Sequence, residues 1–373
     1  MPNPTSSRKV LRNYKFRIYP NKTQARTLSS WLETSRHIYN AALAQRKDAW
    51  EKESRSVSRV EQQVWLKDAK TTNGFFKELH SQPAQEVLFR LERAFSAFFR
   101  RAASGGKPGY PRFKGRGYYK SITFTQSGDG KGACFLNGKL KLSKVGLLKI
   151  VLHRAIPGSI KTVTVKREAC GKWFAVFSVE LEVAIPPRHN GPQVGLDVGI
   201  REFAVLSDGR KIENPKHFRK SGRKLKTSQR DLSRKKKGSN SRAKARVVLA
   251  RRHEKVRNQR RDFHHKVSTS LVKEYSLIAV EDLEIGNMVK NHNLAKSIAD
   301  AGWGEFLAML GCKAESAGSE VRKVAPQGTS QQCSRCGEIV RKDLAQRTHL
   351  CPCCGLVMDR DQNAAVNILR KAV

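Results

Sequence analysis

Three acidic residues that lie far apart in the chain could together bind a divalent metal ion. Asp197 lies within the apolar segment VGLDVGI, Glu281 ends the apolar run LIAVE, and Asp361 opens the segment DQNAAVNILRK. An ionised carboxylate inside a buried strand is costly unless it is paired or binds a metal. Taken singly, Asp361 could instead cap a helix, and Glu281 could be a solvated strand end. Taken together, the three acids predict a magnesium site, because Mg²⁺ prefers oxygen ligands and bridges to substrate phosphates.

Five of the eight cysteines are clustered near the end of the sequence, within residues 333–354. Four of them form two C-x-x-C pairs: Cys333, Cys336, Cys351 and Cys354. Two sulfurs three residues apart on a tight turn can bind one ion, and two such turns complete a tetrahedron. The sequence therefore predicts one Zn²⁺ ion, in preference to disulfides or isolated core cysteines.

The residues around these pairs fit the same interpretation. Gly337 and Gly355 directly follow the pairs and allow the backbone to turn tightly. Cys353 lies between two ligand positions, and we expect it to be a bystander that could substitute for a neighbour. A site closed by four sulfurs has no open position for a substrate, so this zinc is expected to stabilise the fold without taking part in chemistry.

The overall charge indicates what such a protein acts on. Lys and Arg number 73 against 32 Asp and Glu, which gives a formal net charge of +41 and a pI near 10.4. A surface this basic repels itself unless a polyanion neutralises it, which favours nucleic acid over a small acidic ligand. No apolar run approaches the roughly 20 residues that span a bilayer, and the first residues lack the apolar core of a signal peptide. We therefore expect a cytoplasmic protein without a membrane partner.

The strongest positive charge lies between Arg219 and Arg261. The tripeptide GSN at 238–240 predicts a turn between two helical arms. On the second arm, apolar residues at spacings of seven and four predict one buried stripe: Leu249, Val256, Phe263, Val267 and Leu271. Because one sign of charge covers the other faces, we expect phosphate contacts rather than a merely solvated surface. The predicted contact residues are Arg234, Lys235, Lys236, Lys237, Arg251, Arg252, Arg257 and Arg260.

The first half of the chain is predicted to hold helices followed by strands. KFRIYP alternates as a short strand does, and Asn21 with Gln24 predicts a capping box at the start of a helix. A second helix is expected from Gln82 to Arg101, with a buried stripe formed by Leu88, Leu91, Phe95, Phe98 and Phe99. Alternating segments from residue 122 to about 183 predict a small antiparallel barrel or sandwich. IPPRHNGPQ is the predicted linker to the domain that contains Asp197.

Two further groups of residues are candidates for contact with nucleic acid. Between the second helix and the strands, GKPGYPRFKGRG has the composition of a flexible loop. Its cations are expected to contact phosphates: Lys107, Arg112, Lys114 and Arg116. At the start of the second helix, Gln82 and Gln85 could read base edges.

Several motifs together resemble the TnpB family, the OrfB-type proteins of bacterial and archaeal insertion sequences. They are VGLDVGIREFAVLSDG, VEDLEIGNMVKNHNLAKSIADAGWGEF, TSQQCSRCG and CPCCGLVMDRDQNAAVNI, with YKFRIYPNKTQ and GKPGYPRFKGRG in the first half. The resemblance covers essentially the whole chain. It implies an RNA-guided DNA endonuclease related to the type V CRISPR effectors, with Asp197, Glu281 and Asp361 as catalytic acids. Asp359 matches a motif position that is not one of the three.

The resemblance also implies the fold class and the domain order. A mixed α/β multidomain fold is expected, in which an RNase H-like nuclease domain of the RuvC type contains an inserted zinc ribbon. A wedge-like β-barrel carrying a helical recognition insertion precedes it. The expected bounds are 1–20 and 102–190 for the barrel, 21–101 for the helical segment, 191–328 and 356–373 for the nuclease domain, and 329–355 for the zinc ribbon.

The activity implied is hydrolysis of DNA phosphodiesters with two Mg²⁺ ions roughly 3.5–4 Å apart. Asp197 would bridge the ions, while Glu281 and Asp361 would each complete one ion's shell. The expected partners are a guide RNA and double-stranded target DNA beside a short flanking motif, with a single chain on the RNA favoured over an oligomer. When bound to DNA, the protein is expected to associate with the nucleoid. A strand-transferring transposase and a guide-directed, non-cutting repressor are the alternatives.

Overall fold

The computed structural model describes residues 7–128, 130–343 and 346–373, which form two compact units, 7–183 and 184–373. Residues 1–6, with which the predicted barrel domain begins, lie outside the described residues. The boundary between the units immediately precedes the proline-marked segment that begins at Ile185. None of the helices in the described ranges combines the length and apolar character that a bilayer crossing needs.

A seven-stranded sheet forms the centre of the first unit. Its strands are β1 (Ser7–Tyr19), β2 (Ser121–Phe124), β3 (Ala133–Leu136), β4 (Lys139–Leu142), β5 (Gly146–Val151), β6 (Ser159–Arg167) and β7 (Trp173–Ala184). Their order is β2-β6-β7-β1-β5-β4-β3, and a bridge between Ser127 and Ala133 connects the segment after β2 to the start of β3. Alternate residues of β7 are buried, as the period-two pattern predicts. Because the bridge joins the two edges of the sheet, β2 and β3, the sheet is a nearly closed barrel.

Four helices belong to the same unit: α1 (Lys22–Glu53), α2 (Arg59–Thr72), α3 (Gly74–Glu78) and α4 (Ser81–Ala103). The predicted capping box is confirmed, since Asn21 Oδ1 accepts from Gln24 N at 2.8 Å and Gln24 Oε1 accepts from Asn21 N at 3.0 Å. Helix and barrel residues share one core, which includes Leu88 and Phe177. The predicted buried stripe of α4 is wrong at Phe99, which is 61% exposed. The helical period continues into the last turn of α4, where the core that covers its earlier turns has ended.

A five-stranded mixed sheet forms the centre of the second unit. Its strands are β8 (Gln193–Val198), β9 (Glu202–Leu206), β10 (Lys211–Glu213), β11 (Leu277–Glu281) and β12 (Glu320–Val324). The order is β10-β9-β8-β11-β12, with β8, β11 and β12 parallel and β9 antiparallel to its neighbours. Three helices connect β11 to β12: α7 (Ile285–Met288), α8 (Ala295–Ala301) and α9 (Trp303–Ala317). Two short strands, β13 (Thr348–Leu350) and β14 (Val357–Asp359), pair in the cysteine-rich segment.

The last helix, α10 (Arg360–Ala372), packs directly on β8. A Cβ atom at Gly195 would lie 1.9 Å from the carbonyl oxygen of Ala365, so only glycine permits this approach. Ile368 and Ala372 of α10 are buried with Ala279 of β11. The helix therefore covers the centre of the sheet, with its first turn near the strand ends.

The strongly basic segment forms a helical hairpin, the α5–α6 hairpin, made of α5 (His217–Arg234) and α6 (Asn240–Glu274). The predicted turn between two helical arms is confirmed, although it spans 235–239 and Asn240 already begins α6. Of the predicted stripe on α6, Leu249, Val256 and Leu271 are buried, while Phe263 and Val267 are half-buried. The apolar residues thus face inwards and leave the cations on the other faces of α6.

Candidate metal centres

The strand register brings two of the three predicted acids to one place. β8 and β11 are parallel neighbours, and Asp197 and Glu281 are the residues that follow their last registered pair. Residues two apart on a strand share a face. Asp197 therefore lies on the face of Gly195, and Glu281 on that of Ala279, which are the faces that α10 covers. Both acids lie on the α10 side of the sheet, at the carboxyl ends of its two central parallel strands.

The first turn of α10 supplies the third acid. Asp361 precedes Ala365 by four residues, so it lies on the side of the helix that contacts β8. Its side chain is half-buried. Within the described part of the chain, the three acids do not form a group whose oxygens all lie within 4.8 Å of one another.

The three acids interact electrostatically. Burial raises the pKa of Asp197 well above its usual value, and the carboxylates of Glu281 and Asp361 raise it further. Burial also raises the pKa of Glu281, although a hydrogen bond from Thr329 opposes the change. Arg360 Nε lies 3.2 Å from Asp361 Oδ1 and partly neutralises it. Like charges held together away from water are unfavourable unless a cation joins them, so the donor set fits divalent ions that prefer oxygen ligands.

Asp359, rather than Asp361, caps α10. Asp359 Oδ1 accepts from the backbone N–H groups of Asp361 at 2.9 Å and Gln362 at 3.3 Å. Its other carboxylate oxygen lies 2.6 Å from Lys211 Nζ. Burial opposes ionisation here, but these hydrogen bonds outweigh it and lower the pKa of Asp359. The capping alternative for Asp361 is therefore wrong.

Thr329 is a residue of this site that sequence reasoning missed. It is buried, and its hydroxyl donates to Glu281 Oε1 at 2.5 Å, while the Pro326 carbonyl oxygen lies 3.0 Å from the same Oγ1. The two side chains are 48 positions apart in the sequence. The motif TSQQCSRCG includes Thr329, but nothing in the sequence connects it to Glu281. The hydrogen bond restricts the rotamers open to the Glu281 carboxylate.

Two buried asparagines of α10 attach the cysteine-rich segment to the helix. Asn363 Oδ1 accepts from Ser334 N at 2.9 Å, and its amide nitrogen donates to Gln332 O at 2.8 Å. The amide nitrogen of Asn367 donates to the carbonyl oxygens of Thr329 at 2.9 Å and Gln332 at 2.7 Å. The segment from Thr329 to Ser334 is therefore bonded to the helix that carries the third acid.

The four predicted zinc ligands form one tight cluster. Their sulfurs all lie within 4.8 Å of one another, at 3.6 Å for Cys333 and Cys354 and at 3.5 Å for Cys336 and Cys351. A tetrahedral site with Zn–S bonds of about 2.3 Å has sulfurs roughly 3.8 Å apart, so the spacing fits. Cys353 is exposed and does not belong to the group. The cluster suits a closed metal centre.

The two glycines close the turns of this cluster. Gly337 and Gly355 have φ of +84° and +70°, a conformation that favours glycine. Their N–H groups donate to the carbonyl oxygens of Cys333 and Cys351, each at 3.0 Å. Each turn therefore places the two sulfurs of its C-x-x-C pair on the same side of the backbone, where one ion could contact both.

The four thiols cannot all ionise easily without a cation. Burial opposes ionisation of Cys333, yet backbone N–H groups and its neighbours lower its pKa to about 5. A backbone N–H favours the Cys336 thiolate, but burial and the adjacent sulfurs outweigh it and raise its pKa to about 12. His349, also missed from the sequence, is buried beside Cys333, and its Nδ1 is hydrogen-bonded to Lys342 Nζ. A bound metal ion would stabilise the thiolate form of the cysteines, such as Cys336, whose pKa the protein alone raises.

The α5–α6 hairpin presents most, but not all, of its predicted contact residues to solvent. Five of them are exposed: Arg234, Lys236, Lys237, Arg251 and Arg257. Arg260 is half-buried and donates to Ala299 O at 2.9 Å, and Arg252 donates to the carbonyl oxygen of Lys224. Lys235 lies 3.1 Å from Asp231 Oδ1. These three cations already have partners within the second unit.

The predicted contact residues of the first unit also differ in exposure. Gln82 Oε1 accepts from Gln126 N at 3.2 Å, so its amide is engaged, whereas Gln85 is exposed. Lys114 is half-buried, with Nζ 5.3 Å from the centre of the Tyr39 ring. The other three loop cations are exposed: Lys107, Arg112 and Arg116.

Two solved structures have a fold similar to that of this chain. A Cas12f1–sgRNA–target DNA complex solved by cryo-EM matches with a TM-score of 0.58 and 14% identity, over 96% of this chain and 98% of that one. The mini-RNA-guided endonuclease CRISPR-Cas_phi3 matches with a TM-score of 0.50 and 10% identity, over 98% of this chain and 92% of that one. At such identities the likeness shows the fold alone. The fold is that of the compact Cas12f1 and Cas_phi3 chains.

Matches to family models and to sequence relatives identify the family of this chain. An OrfB model described as "Probable transposase" matches residues 176–292, and one described as "Cas12f1-like, TNB domain" matches 303–368. A model described as "Helix-turn-helix domain" matches 8–55, which in this structure are β1, α1 and the two residues after α1. A "Putative RNA-guided DNA endonuclease" of Streptomyces pristinaespiralis is 39% identical, over 96% of this chain and 89% of that protein. The "Putative RNA-guided DNA endonuclease InsQ" of Escherichia coli K12 is 34% identical, over 97% and 92%. The chain belongs to the TnpB family of OrfB-type proteins.

Proposed function

We propose that this chain is an RNA-guided DNA endonuclease, encoded by a transposable element, that hydrolyses target DNA with Mg²⁺. The observation that carries the proposal is the placement of Asp197, Glu281 and Asp361 on one face of a sheet, at two adjacent strand ends and a helix start. The net charge of +41 supports a nucleic-acid substrate. The names of two relatives that align over nearly their whole length support the guide and the cleavage.

The domain assignment is part of the proposal. Residues 191–328 and 356–373 would form an RNase H-like nuclease domain of the RuvC type, and 329–355 the zinc ribbon. The order β10-β9-β8-β11-β12, with acids on the central parallel pair, supports this. Residues 1–20 and 102–190 would form the wedge-like barrel, and 21–101 the helical recognition segment.

The acids divide the work according to their positions. Mg²⁺ ions bound here would lower the pKa of an attacking water and stabilise the leaving oxygen. Asp197, which interacts with both other carboxylates, is placed to contact two ions, while Glu281 and Asp361 are each placed to contact one. Thr329 holds Glu281 in place, and Asp359 fixes the start of α10. Zn²⁺ held by Cys333, Cys336, Cys351 and Cys354 would be structural.

Replacing Thr329 with valine is expected to lower the rate of DNA cleavage about 10- to 100-fold, the usual effect of removing a hydrogen bond to a metal ligand. Valine keeps the shape of threonine but cannot donate to Glu281. Single-turnover cleavage with saturating guide RNA measures the effect. The control, Thr329→Ser, retains the hydroxyl and should retain most of the activity. Wild-type cleavage by the valine variant would show that the hydroxyl has no positioning role.

The exposed cations of the α5–α6 hairpin are expected to contact phosphates of the guide RNA or of its duplex with the target. Affinity falls as salt concentration rises, and the double substitution Lys236→Gln/Lys237→Gln should make this fall shallower. The steepness of log affinity against log salt concentration should decrease by about 2, since each lost phosphate contact removes about one unit. Titrations of guide RNA at several salt concentrations measure the slope. Lys139→Gln/Lys141→Gln on β4 removes the same charge from exposed positions and should leave the slope unchanged. Equal slopes in all three proteins would exclude Lys236 and Lys237 as phosphate contacts.

The description "Probable transposase" favours one rival function, strand transfer of the element's own ends. A transposase of this kind would join DNA without a guide, whereas a guided nuclease only cuts. Purified protein incubated with end-containing DNA and no RNA distinguishes the two, because joined products support only the rival. A non-cutting repressor would bind guided targets and leave them intact.

The decisive experiment is to sequence the RNA that co-purifies with the chain and then to replace its targeting segment. The proposal predicts that cleavage moves to the DNA sequence that the new segment matches. Cleavage that ignores the replacement, or that proceeds without RNA, would overturn it.

A further inference from the structure

The segment between α4 and β2, residues 107–120, exposes aromatic rings that the proposed chemistry does not use. We call it the 107–120 loop. Its two most exposed rings are Phe113, at 53%, and Tyr118, at 75%; Tyr110, at 45%, is the third exposed ring. An aromatic side chain buries about 150–250 Å² when it packs, so two exposed rings on one short loop leave a large favourable free energy unused.

The backbone beside both rings is held in place. Asn40 of α1 accepts from Lys114 N at 2.7 Å and donates to Lys114 O at 3.0 Å, which fixes the residue after Phe113. Tyr118 N donates to Gly115 O at 3.1 Å, and the next residue, Tyr119, is buried. Each exposed ring therefore adjoins an anchored residue, and its exposure is a defined feature of the fold.

The charge around the rings selects the partner. The sequence contains no acidic residue between Glu92 and Asp129, while eight Lys and Arg residues lie there. Those in the loop are Lys107, Arg112, Lys114, Arg116 and Lys120. Alternating cations and flat apolar rings match a strand that alternates phosphates with flat bases. In a duplex the faces of the bases are covered by their neighbours, so the rings require unpaired nucleotides.

We propose that Phe113 and Tyr118 stack on unpaired bases of a single-stranded nucleic acid, with Arg112 and Arg116 holding its phosphates. The proposal rests on the proposed function for the source of such strands, which are unpaired guide RNA or the displaced DNA strand. Tyr110 has a different role in the same loop. It is 45% exposed, but it packs edge-on against Phe95 and Phe98, with ring centres 5.6 and 5.4 Å away, and so connects the loop to α4.

The test uses the full-length chain without guide and oligonucleotides of about 12 nucleotides that contain 2-aminopurine, whose fluorescence falls on stacking. Single-stranded RNA, single-stranded DNA and duplex DNA of one sequence are titrated into three proteins. These are the wild type, Phe113→Ala/Tyr118→Ala, and Phe113→Trp/Tyr118→Phe, which keeps both rings. Circular dichroism confirms that the variants fold, as substitutions at exposed positions should allow.

The alanine variant is expected to bind single strands at least about 5-fold more weakly per lost ring, with less quenching. Its salt dependence should match that of the wild type, because no charge changes. The ring-keeping variant should bind as the wild type does, and duplex affinity should hardly change in either. A larger loss on RNA identifies guide RNA as the ligand, and a larger loss on DNA identifies the displaced strand.

Unchanged single-strand affinity in the alanine variant would overturn the stacking proposal, as would an equal loss on duplex or in the ring-keeping variant. These results are separate from the proposed function, because no guide and no cleavage enter the measurement. If guided cleavage fails while the alanine variant still binds single strands more weakly, only the proposed function is refuted. If guided cleavage succeeds while the alanine variant binds as the wild type does, only the stacking proposal is refuted.

Discussion

Cleavage of target DNA is expected to fall at least about 1,000-fold when Asp197 is replaced by asparagine, because metal binding contributes several kcal/mol to such a transition state. Asp197 is the acid that interacts with both other carboxylates, so its loss would affect both of the proposed ion positions. Single-turnover cleavage with a fixed guide measures the rate. Affinity for guide RNA and for target DNA should change little, since the proposed nucleic-acid contact residues lie outside this group of acids.

The same variant provides its own folding control. The folded-state pKa of Asp197 is raised above the usual 3.8, so the unfolded chain ionises first as the pH rises. Asp197 therefore reduces the stability of the metal-free protein at neutral pH, and this loss develops as the pH rises from 3.8 through the folded-state pKa. The asparagine of the variant would carry no such charge, so Tm in the absence of Mg²⁺ should equal or exceed that of the wild type. A large fall in Tm would mean that lost cleavage reports unfolding, and rapid cleavage would refute the assignment of Asp197.

Loss of the proposed zinc site is expected to have the second largest effect. Cys333→Ser/Cys336→Ser should lower the Tm for unfolding of the second unit, which contains the cysteines, by about 10 °C or more. The reason is that structural zinc contributes much of the folding free energy of cysteine-rich segments. The damage should extend to cleavage, since Asn363 and Asn367 bind the same segment to α10, and Thr329 binds it to Glu281. Calorimetry and a zinc-release assay measure stability and metal content together.

Cys353→Ser is the matched control for this prediction. Cys353 lies within the same segment, but it is exposed and outside the sulfur cluster. Its variant should keep one zinc per chain, the wild-type Tm and wild-type cleavage. Equal stability in the Cys333→Ser/Cys336→Ser protein and the wild type, or a loss in Cys353→Ser as large as theirs, would contradict a structural zinc at the four assigned ligands.

Local patterns predicted several parts of this fold because their causes lie close together in the sequence. The capping box at Asn21 and Gln24, the turn between α5 and α6 and the barrel strands each depend on neighbouring residues. The spacing of the cysteine pairs likewise requires only that two tight turns meet. The three acids were identified by the cost of a carboxylate in an apolar strand and by the family resemblance.

Other features depend on what lies across the fold, and no local pattern reports it. The period of α4 continues to Phe99, but whether a core still covers that turn depends on the barrel. The contact of Thr329 with Glu281 joins residues in separate elements. The sequence offered Asp361 as a possible cap, and only the start of α10 shows that Asp359 is the cap instead, because any aspartate suits a helix N-terminus. Arg260 illustrates the same limit, since its partner is a carbonyl oxygen of another helix.

Anomalous scattering from Mn²⁺ in crystals of the chain with guide RNA and uncut target tests the central claim most directly, namely that these three acids share metal ions. Two peaks are predicted, both within about 2.5 Å of Asp197 oxygens, one also contacting Glu281 and the other Asp361. Metal peaks that avoid Asp197, in a complex that cuts the same target in solution, would contradict the account.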